Sequence, residues 1–283
     1  MAQIILADPC GFCGGVERAL RIAEKELTDH PGEILYLLHD LVHNSMVSDD
    51  LKKRGGKTVH SVNDIPPGGH LLISAHGAAK KVFDDAAAAG LAVIDATCPL
   101  VRKVQDMTRD FVTEGYRVLL FGHRQHYEVI GILGQCGAPD RVTVLENVAE
   151  AENFIPDPAE KYACLSQTTW NQETVRVMIQ LLQRKIPALR IADSVCNATS
   201  ERQDAVRRLA EKCDVVLIIG SAESSNTLRL LEIAGTITER AYLVSSPHDL
   251  TEEMTANAGT IGVASGASAP EQQLAAILHA LQE

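Results

Sequence analysis

Three cysteines stand out by their surroundings. Cys98 closes the run Val93-Ile94-Asp95-Ala96-Thr97-Cys98, and Cys196 closes Ile191-Ala192-Asp193-Ser194-Val195-Cys196. Both are D-x-x-C after a short apolar run. Cys13 follows Ile4-Ile5-Leu6-Ala7-Asp8, stretched by an insert that carries Cys10, Gly11 and Phe12. An amphipathic segment comes after each, so each thiol falls at or just before a helix N-terminus. The free N–H groups and helix dipole there stabilise a thiolate. Three such thiolates would suit a soft metal centre, and both zinc and an iron–sulfur cluster are candidates. Zinc would ask for a fourth ligand or a water. A [4Fe–4S] cluster on three cysteines would leave one iron open for substrate. Three separate buried thiols are the plain alternative, since free cysteine is commonly buried. Cys136, Cys164 and Cys213 are read that way. Cys10-x-x-Cys13 has redox or zinc-knuckle spacing, but no second C-x-x-C exists.

A second set of residues could hold an anion. His43, His76 and His126 occupy matching loop slots, and imidazoles donate hydrogen bonds. With Thr168, Thr169, Ser224, Ser225, Asn226 and Ser268 they make a donor-rich lining. Gly77 and Gly266 let backbone approach closely. Such a lining at helix N-termini reads as a phosphate or diphosphate pocket. Glu128, two residues after His126, is a carboxylic acid among donors and could relay protons; an ordinary loop carboxylate is the alternative. His123-x-x-His126 is also a weak candidate for a metal pair.

These residues need elements to position them. Val16, Leu20, Ala23 and Leu27 recur with helical period, as do Val101, Val104, Thr108 and Phe111, and Val206, Leu209, Ala210 and Cys213. Short apolar runs alternate with these helices, among them 34–37, 71–74, 118–121, 163–166, 215–219 and 261–263. The alternation predicts parallel sheets covered by helices. The key cysteines recur at nearly even intervals. The expectation is therefore three small α/β units with mostly parallel four-stranded sheets, in a pseudo-threefold, trefoil-like arrangement around a central site. Their bounds are 1–95 (Cys13, His43, His76), 96–193 (Cys98, His126, Glu128, Thr168) and 194–283 (Cys196, Ser224, Ser225, Asn226, Ser268). Polar residues just after a strand lie at its carboxyl end, where such sheets bind ligands.

Composition narrows the classes. The chain has 283 residues, 46% of them hydrophobic and 22% charged, with a net charge of −11 from 26 basic and 37 acidic groups. That describes a globular α/β protein and argues against a generic nucleic-acid binder. No signal peptide or transmembrane run is apparent, which predicts a cytoplasmic protein with reduced thiols. Gly55-Gly56-Lys57-Thr58 lacks the first glycine of a P-loop, and neither G-x-G-x-x-G nor G-x-S-x-G occurs in a usable place. Nucleotide-dependent and serine-hydrolase chemistry are not supported. On the residues alone a zinc-dependent hydrolase or lyase for a small phosphorylated substrate stays open, as does a phosphate-binding module without chemistry.

Several stretches taken together resemble one family over the whole chain. They are Gly11-Phe12-Cys13-x-Gly15-Val16, Val42-His43-Asn44, Ser74-Ala75-His76-Gly77, Asp95-Ala96-Thr97-Cys98-Pro99-Leu100-Val101, Gly122-His123-x-x-His126-x-Glu128, Gln167-Thr168-Thr169, Gly220-Ser221-x-x-Ser224-Ser225-Asn226 and Gly266-Ala267-Ser268-Ala269-Pro270. The chain resembles the LytB-type 4-hydroxy-3-methylbut-2-enyl diphosphate reductases of the methylerythritol phosphate route to isoprenoids. That resemblance implies one [4Fe–4S] cluster per chain with Cys13, Cys98 and Cys196 as ligands and one open iron. It implies that His43, His76, His126, Ser224, Ser225, Asn226 and Ser268 hold the diphosphate. Thr168 and Glu128 would lie near the substrate hydroxyl, with Glu128 delivering protons. An electron donor such as ferredoxin or flavodoxin, and a monomer or weak dimer, are further implications. Cys10 and Tyr127, the latter at a place where proline is frequent, depart from the family pattern.

Overall fold

The computed structural model describes residues 2–282; Met1 and Glu283, the outer ends of the first and third expected units, lie outside the described residues. In chain order the elements are β1 (Gln3–Leu6), α1 (Gly14–Asp29), β2 (Leu35–Leu38), α2 (Ser45–Lys53), β3 (Gly56–Val59), β4 (His70–Ile73), α3 (Lys80–Ala88), β5 (Ala92–Asp95), α4 (Pro99–Thr113), β6 (Arg117–Phe121), α5 (Tyr127–Gln135), β7 (Val142–Leu145), α6 (Val148–Asn153), β8 (Tyr162–Ser166), α7 (Gln172–Lys185), β9 (Arg190–Ile191), α8 (Asn197–Ala210), β10 (Val215–Ile219), α9 (Ser225–Gly235), β11 (Ala241–Val244), α10 (Glu252–Thr255), β12 (Thr260–Ser265) and α11 (Glu271–Ala280). The chain divides into two compact units. One comprises residues 1–17, 42–50 and 197–283, and the other 18–41 and 51–196.

The first unit holds one four-stranded sheet of order β1-β12-β10-β11, with every pairing parallel. All of β10 is apolar because both faces are covered. Val216 and Ile218 pack with Val206 and Leu209 of α8 and with Leu230 and Ile233 of α9. Val215, Leu217 and Ile219 pack on the other face with Ile277 of α11.

The second unit holds two parallel sheets, of order β3-β2-β4-β5 and β7-β6-β8-β9. In β6 the alternation again sorts two cores. Val118 and Leu120 meet Val104 and Phe111 of α4 and Val129 and Ile132 of α5. Leu119 and Phe121 meet Trp170 and Met178 and Leu182 of α7. The α4 face expected from periodicity is buried at Val101, Val104, Thr108 and Phe111. On α1 the fully buried residues are Ala19 and Ala23, whereas Leu20 and Leu27 are only half-buried.

Three parallel four-stranded sheets match the expected class, but the expected bounds group the strands differently from the pairings. The strand Gln3–Leu6 falls in the expected unit 1–95, yet it pairs with β12 near the other end of the chain. The strand order explains why. In each sheet the first strand is central, the second lies outside it, the third lies on its other side, and the strand that leads to a key cysteine is fourth. β5 holds that fourth place beside β4, and β9 beside β8. β1 holds it beside β12, so the N-terminus supplies the fourth strand of the last sheet. Chain order joins each cysteine strand to the helix after it; hydrogen bonding joins it to the three strands before it.

This order also fixes where polar loops gather. The chain leaves the first and third strands of each sheet in opposite directions, which opens a crevice at their carboxyl ends. The loops concerned follow β2 and β4, β6 and β8, and β10 and β12. They carry His43, His76, His126, Thr168, Ser224 and Ser268.

Candidate active site

Each key cysteine is tied to the loop after the third strand of its sheet. The Cys98 N–H donates to the Ala75 carbonyl (3.0 Å), the Cys196 N–H to that of Thr168 (2.9 Å), and the Cys13 N–H to that of Ala267 (3.1 Å). A helix begins one residue later in every case. Cys98 is the N-cap of α4, and its own side chain makes no capping hydrogen bond there. The three thiols are half-buried, whereas Cys136, Cys164 and Cys213 are buried. Burial pushes the Cys164 thiol up to about 12, which suits a core residue.

In the second unit Glu128 lies two residues into its helix and is only 1% exposed. Thr168 grips its carboxyl group twice: the N–H donates to Oε1 (2.7 Å) and the hydroxyl to Oε2 (2.9 Å). Those bonds favour the carboxylate, but desolvation outweighs them and raises the pKa from 4.5 to about 7. The Thr168 carbonyl is the same one that accepts from Cys196. One residue therefore ties a buried acid to a candidate metal ligand.

His126 caps α5, its Nδ1 accepting from the Glu128 N–H (3.1 Å). In the neutral ring the proton is thereby held on Nε2, which becomes a donor. The ring of His76 stands edge-on to it, with centroids 5.5 Å apart, and its own Nδ1 lies 3.3 Å from the Ser74 hydroxyl. Gly77 has φ +75, and a Cβ there would come within 2.7 Å of Gln105 Nε2. Its close approach is thus to the protein's own helix. His123 and His126 go different ways, since His123 packs edge-on against Trp170 and faces Glu146. His123 belongs to no group of three or more possible metal ligands among the described residues. The residue that stands where proline is frequent, Tyr127, stacks flat on His39 with centroids 4.0 Å apart.

In the first unit Ser224 caps α9, its Oγ accepting from the Thr227 N–H (3.3 Å). The Ser268 hydroxyl lies 3.5 Å from Ser224 Oγ and 3.4 Å from the His43 carbonyl. Asn44, beside His43, donates to Gln273 Oε1 (3.0 Å) and so anchors this segment on α11. Ser225 is half-buried at the start of α9. Asn226 is 4% exposed, and both its amide nitrogen and its oxygen lack a partner. Buried polar groups are ordinarily hydrogen-bonded, so this amide is an exception among the residues that start α9. Gly266 makes room for Thr227: a Cβ would come within 2.1 Å of its hydroxyl.

Cys10 has a different setting from Cys13. Its thiol is pushed up by burial, opposed in part by Ser265 and Arg202. Ser265 Oγ accepts from the Gly11 N–H (2.7 Å), and the guanidinium of Arg202 donates to the Gly11 carbonyl (2.9 Å). A protonated, braced Cys10 does not suit a thiolate pair with Cys13. Nothing in the sequence marks Arg202 as this brace, because an arginine on an amphipathic helix ordinarily reads as solvated.

The profile of the LytB protein family matches residues 4–282. The chain belongs to the LytB family. It is 41% identical over 285 residues to 4-hydroxy-3-methylbut-2-enyl diphosphate reductase 2 of Burkholderia mallei (strain ATCC 23344), an alignment covering all of this chain and 86% of that protein. It is 39% identical over 285 residues to the reductase of Psychrobacter sp. (strain PRwf-1), covering 99% of this chain and 89% of that one. The solved E-1-hydroxy-2-methyl-but-2-enyl-4-diphosphate reductase of Plasmodium falciparum superposes with a TM-score of 0.94 at 32% identity, covering all of this chain and 88% of that one. Another, described as an (E)-4-hydroxy-3-methyl-but-2-enyl diphosphate reductase and the terminal enzyme of the non-mevalonate pathway, gives 0.69 at 31%, covering 100% and 99%. Membership makes this LytB chain an enzyme of the oxidoreductase class. Among its described residues no helix is long and apolar enough to cross a membrane.

Proposed function

We propose that this LytB protein reduces 4-hydroxy-3-methylbut-2-enyl diphosphate to isopentenyl and dimethylallyl diphosphates. Two electrons and two protons enter, the C–O bond of the hydroxyl carbon breaks, and the oxygen leaves as water. The observation that carries the reading is the buried Glu128, with its pKa about 7, joined through Thr168 to Cys196. A general acid is most effective when its pKa lies near the working pH.

The donor set suits a [4Fe–4S] cluster. Cys13, Cys98 and Cys196 are half-buried free thiols, each one residue before a helix. These three would be its ligands, and the protonated Cys10 would not. When bound, such a cluster supplies electrons and an iron that acts as a Lewis acid toward the substrate oxygen. The remaining work falls to the protein. Glu128 in its acid form delivers a proton to the departing oxygen. Thr168 holds that carboxyl group through N–H and hydroxyl and is free to turn its hydroxyl as the proton leaves. His76 and His126 offer ring N–H groups to the diphosphate. His43, Ser224, Ser225, Asn226 and Ser268 contribute the donors of the first unit, where the buried Asn226 amide has no protein partner among the described residues. Electrons come from a small carrier of the ferredoxin or flavodoxin type.

Purification without oxygen, with iron, sulfide and zinc analysis and EPR, tests the assignment. About four irons and four sulfides per chain support it. One zinc without sulfide would replace it with a hydrolase or lyase, and a metal-free chain with a phosphate-binding module.

A further inference from the structure

Glu26, His30 and His70 each bring one ligand atom into a group whose members all lie within 4.8 Å of one another. Helical spacing brings the first two together. Glu26 is near the end of α1, and the His30 N–H still donates to the Glu26 carbonyl (3.0 Å), so the two side chains share a face at i, i+4. His70 opens β4 beside them. His70 Nδ1 lies 2.6 Å from Glu26 Oε1, and His30 Nε2 lies 3.5 Å from the same oxygen. The two rings meet edge to face with centroids 4.4 Å apart.

The other nitrogens face a second carboxylate. His70 Nε2 is 3.4 Å and His30 Nδ1 is 4.0 Å from Glu33 Oε2. Metal-bound histidines characteristically donate their second N–H to a carboxylate, which fixes ring orientation and tautomer. Here one carboxylate stands on the inner nitrogens and another on the outer ones, and the turn that carries Glu33 is closed by its N–H on the His30 carbonyl (3.2 Å). With metal–ligand bonds of about 2.0–2.1 Å, tetrahedral ligand atoms sit about 3.3 Å apart. The 2.6 and 3.5 Å separations bracket that spacing. The space among these side chains is too confined for an organic substrate.

We propose that Glu26, His30 and His70 form a peripheral site for a divalent transition ion of the zinc type. Glu33 supports the two imidazoles from behind, and the fourth ligand is a water on the solvent side of the His30 ring, which is 41% exposed. The ion clamps the end of α1 to the start of β4. This site uses none of the residues assigned to the reaction and holds or fails independently of it.

The test uses anaerobically purified protein with its native cofactor, titrated with cobalt(II) as a spectroscopic substitute for zinc. The expected result is one site with nitrogen and oxygen ligands and no thiolate charge-transfer band. It is lost in His30→Gln/His70→Gln and weakened about 10–100-fold in Glu33→Gln. Zinc displaces the cobalt and raises Tm in the wild type but not in His30→Gln, a substitution at a partly exposed ring that leaves the core intact. Equal cobalt uptake with the same spectrum in the wild type and the double variant would overturn the proposal. So would uptake that shows thiolate bands alone.

Discussion

Glu128→Gln separates two consequences of one buried carboxyl group. The side chain keeps its shape, and its oxygen still accepts from the Thr168 N–H that now reaches Glu128 Oε1 at 2.7 Å. Its NH₂ faces the Thr168 hydroxyl, which turns to accept. What disappears is the titration. The folded state holds the Glu128 proton to about 7 against an ordinary 4.5. At about 1.4 kcal/mol per pH unit, that displacement corresponds to about 3 kcal/mol. Below the ordinary value both folded and unfolded chains are protonated, and the site contributes no pH dependence. Between the two values the unfolded chain ionises while the folded chain keeps its proton, so stability falls as pH rises. Above the upper value both are ionised and the full cost is present. Glutamine removes this loss, so the variant gains on the wild type as pH rises. Roughly 2 kcal/mol or more of the gain falls between about pH 5 and about pH 8. The assay is denaturant unfolding of both proteins at these two pH values, because other carboxylates cancel in the difference. Turnover should fall about 10²–10⁴-fold in the variant, the usual contribution of a positioned general acid. A stability difference that does not change with pH would refute the buried-acid argument. Near-normal turnover would remove Glu128 from the reaction.

Other substitutions probe the remaining contacts. Thr168→Val removes the hydroxyl bond that favours the carboxylate, so the pH at which Glu128 titrates should rise, as read from the same stability profiles. Asn226→Leu should weaken inorganic pyrophosphate binding about tenfold or more in calorimetry while stabilising the unliganded chain by about 1–2 kcal/mol, since it deletes a buried amide without partners. Gly266→Ala should cost about 1–3 kcal/mol by driving a methyl group into Thr227, and Gly266→Ala/Thr227→Ala should recover part of that in a double-mutant cycle. Cys10→Ser should retain full iron and sulfide after anaerobic purification, whereas Cys196→Ser should lose most of both.

How much of the fold could be read from the residues depended on the reach of each signal. Periodicity is local, so α4 and α8 were legible: the expected faces at Val101, Val104, Thr108 and Phe111, and at Val206, Leu209, Ala210 and Cys213, are buried. The class was legible too, since strands such as Val215–Ile219 are apolar throughout, as strands covered on both faces must be. Strand partnership is not local. Nothing in Gln3–Leu6 shows that it pairs with Thr260–Val263 rather than with its chain neighbours. Only the comparison of three sheets reveals that a cysteine strand always comes fourth. The candidate site divides in the same way. Residue types marked the cysteines, the histidines and Glu128. The pKa of Glu128 follows from burial and from Thr168, forty positions away along the chain, and no motif encodes that.

The repeat makes the departures from symmetry informative. The cysteine N–H finds a carbonyl after the third strand in all three sheets, at Ala75, Thr168 and Ala267. Only Thr168 among these has a hydroxyl, and it is spent on a carboxyl group. A capping side chain opens the helix after the first strand each time: Asn44 toward the Met46 N–H, His126 toward Glu128, and Ser224 toward Thr227. Two residues beyond each cap stand Met46, Glu128 and Asn226. Met46 is exposed; Glu128 and Asn226 are buried. Three repeats with identical residues would offer three equal environments, and none of them would be marked out to handle a proton. Placing one acid, one amide and one thioether at equivalent positions breaks that equality. On the proposed function, the proton donor is then the one repeat position joined through Thr168 to a cysteine, Cys196, and the Asn226 amide is the one left for an anion.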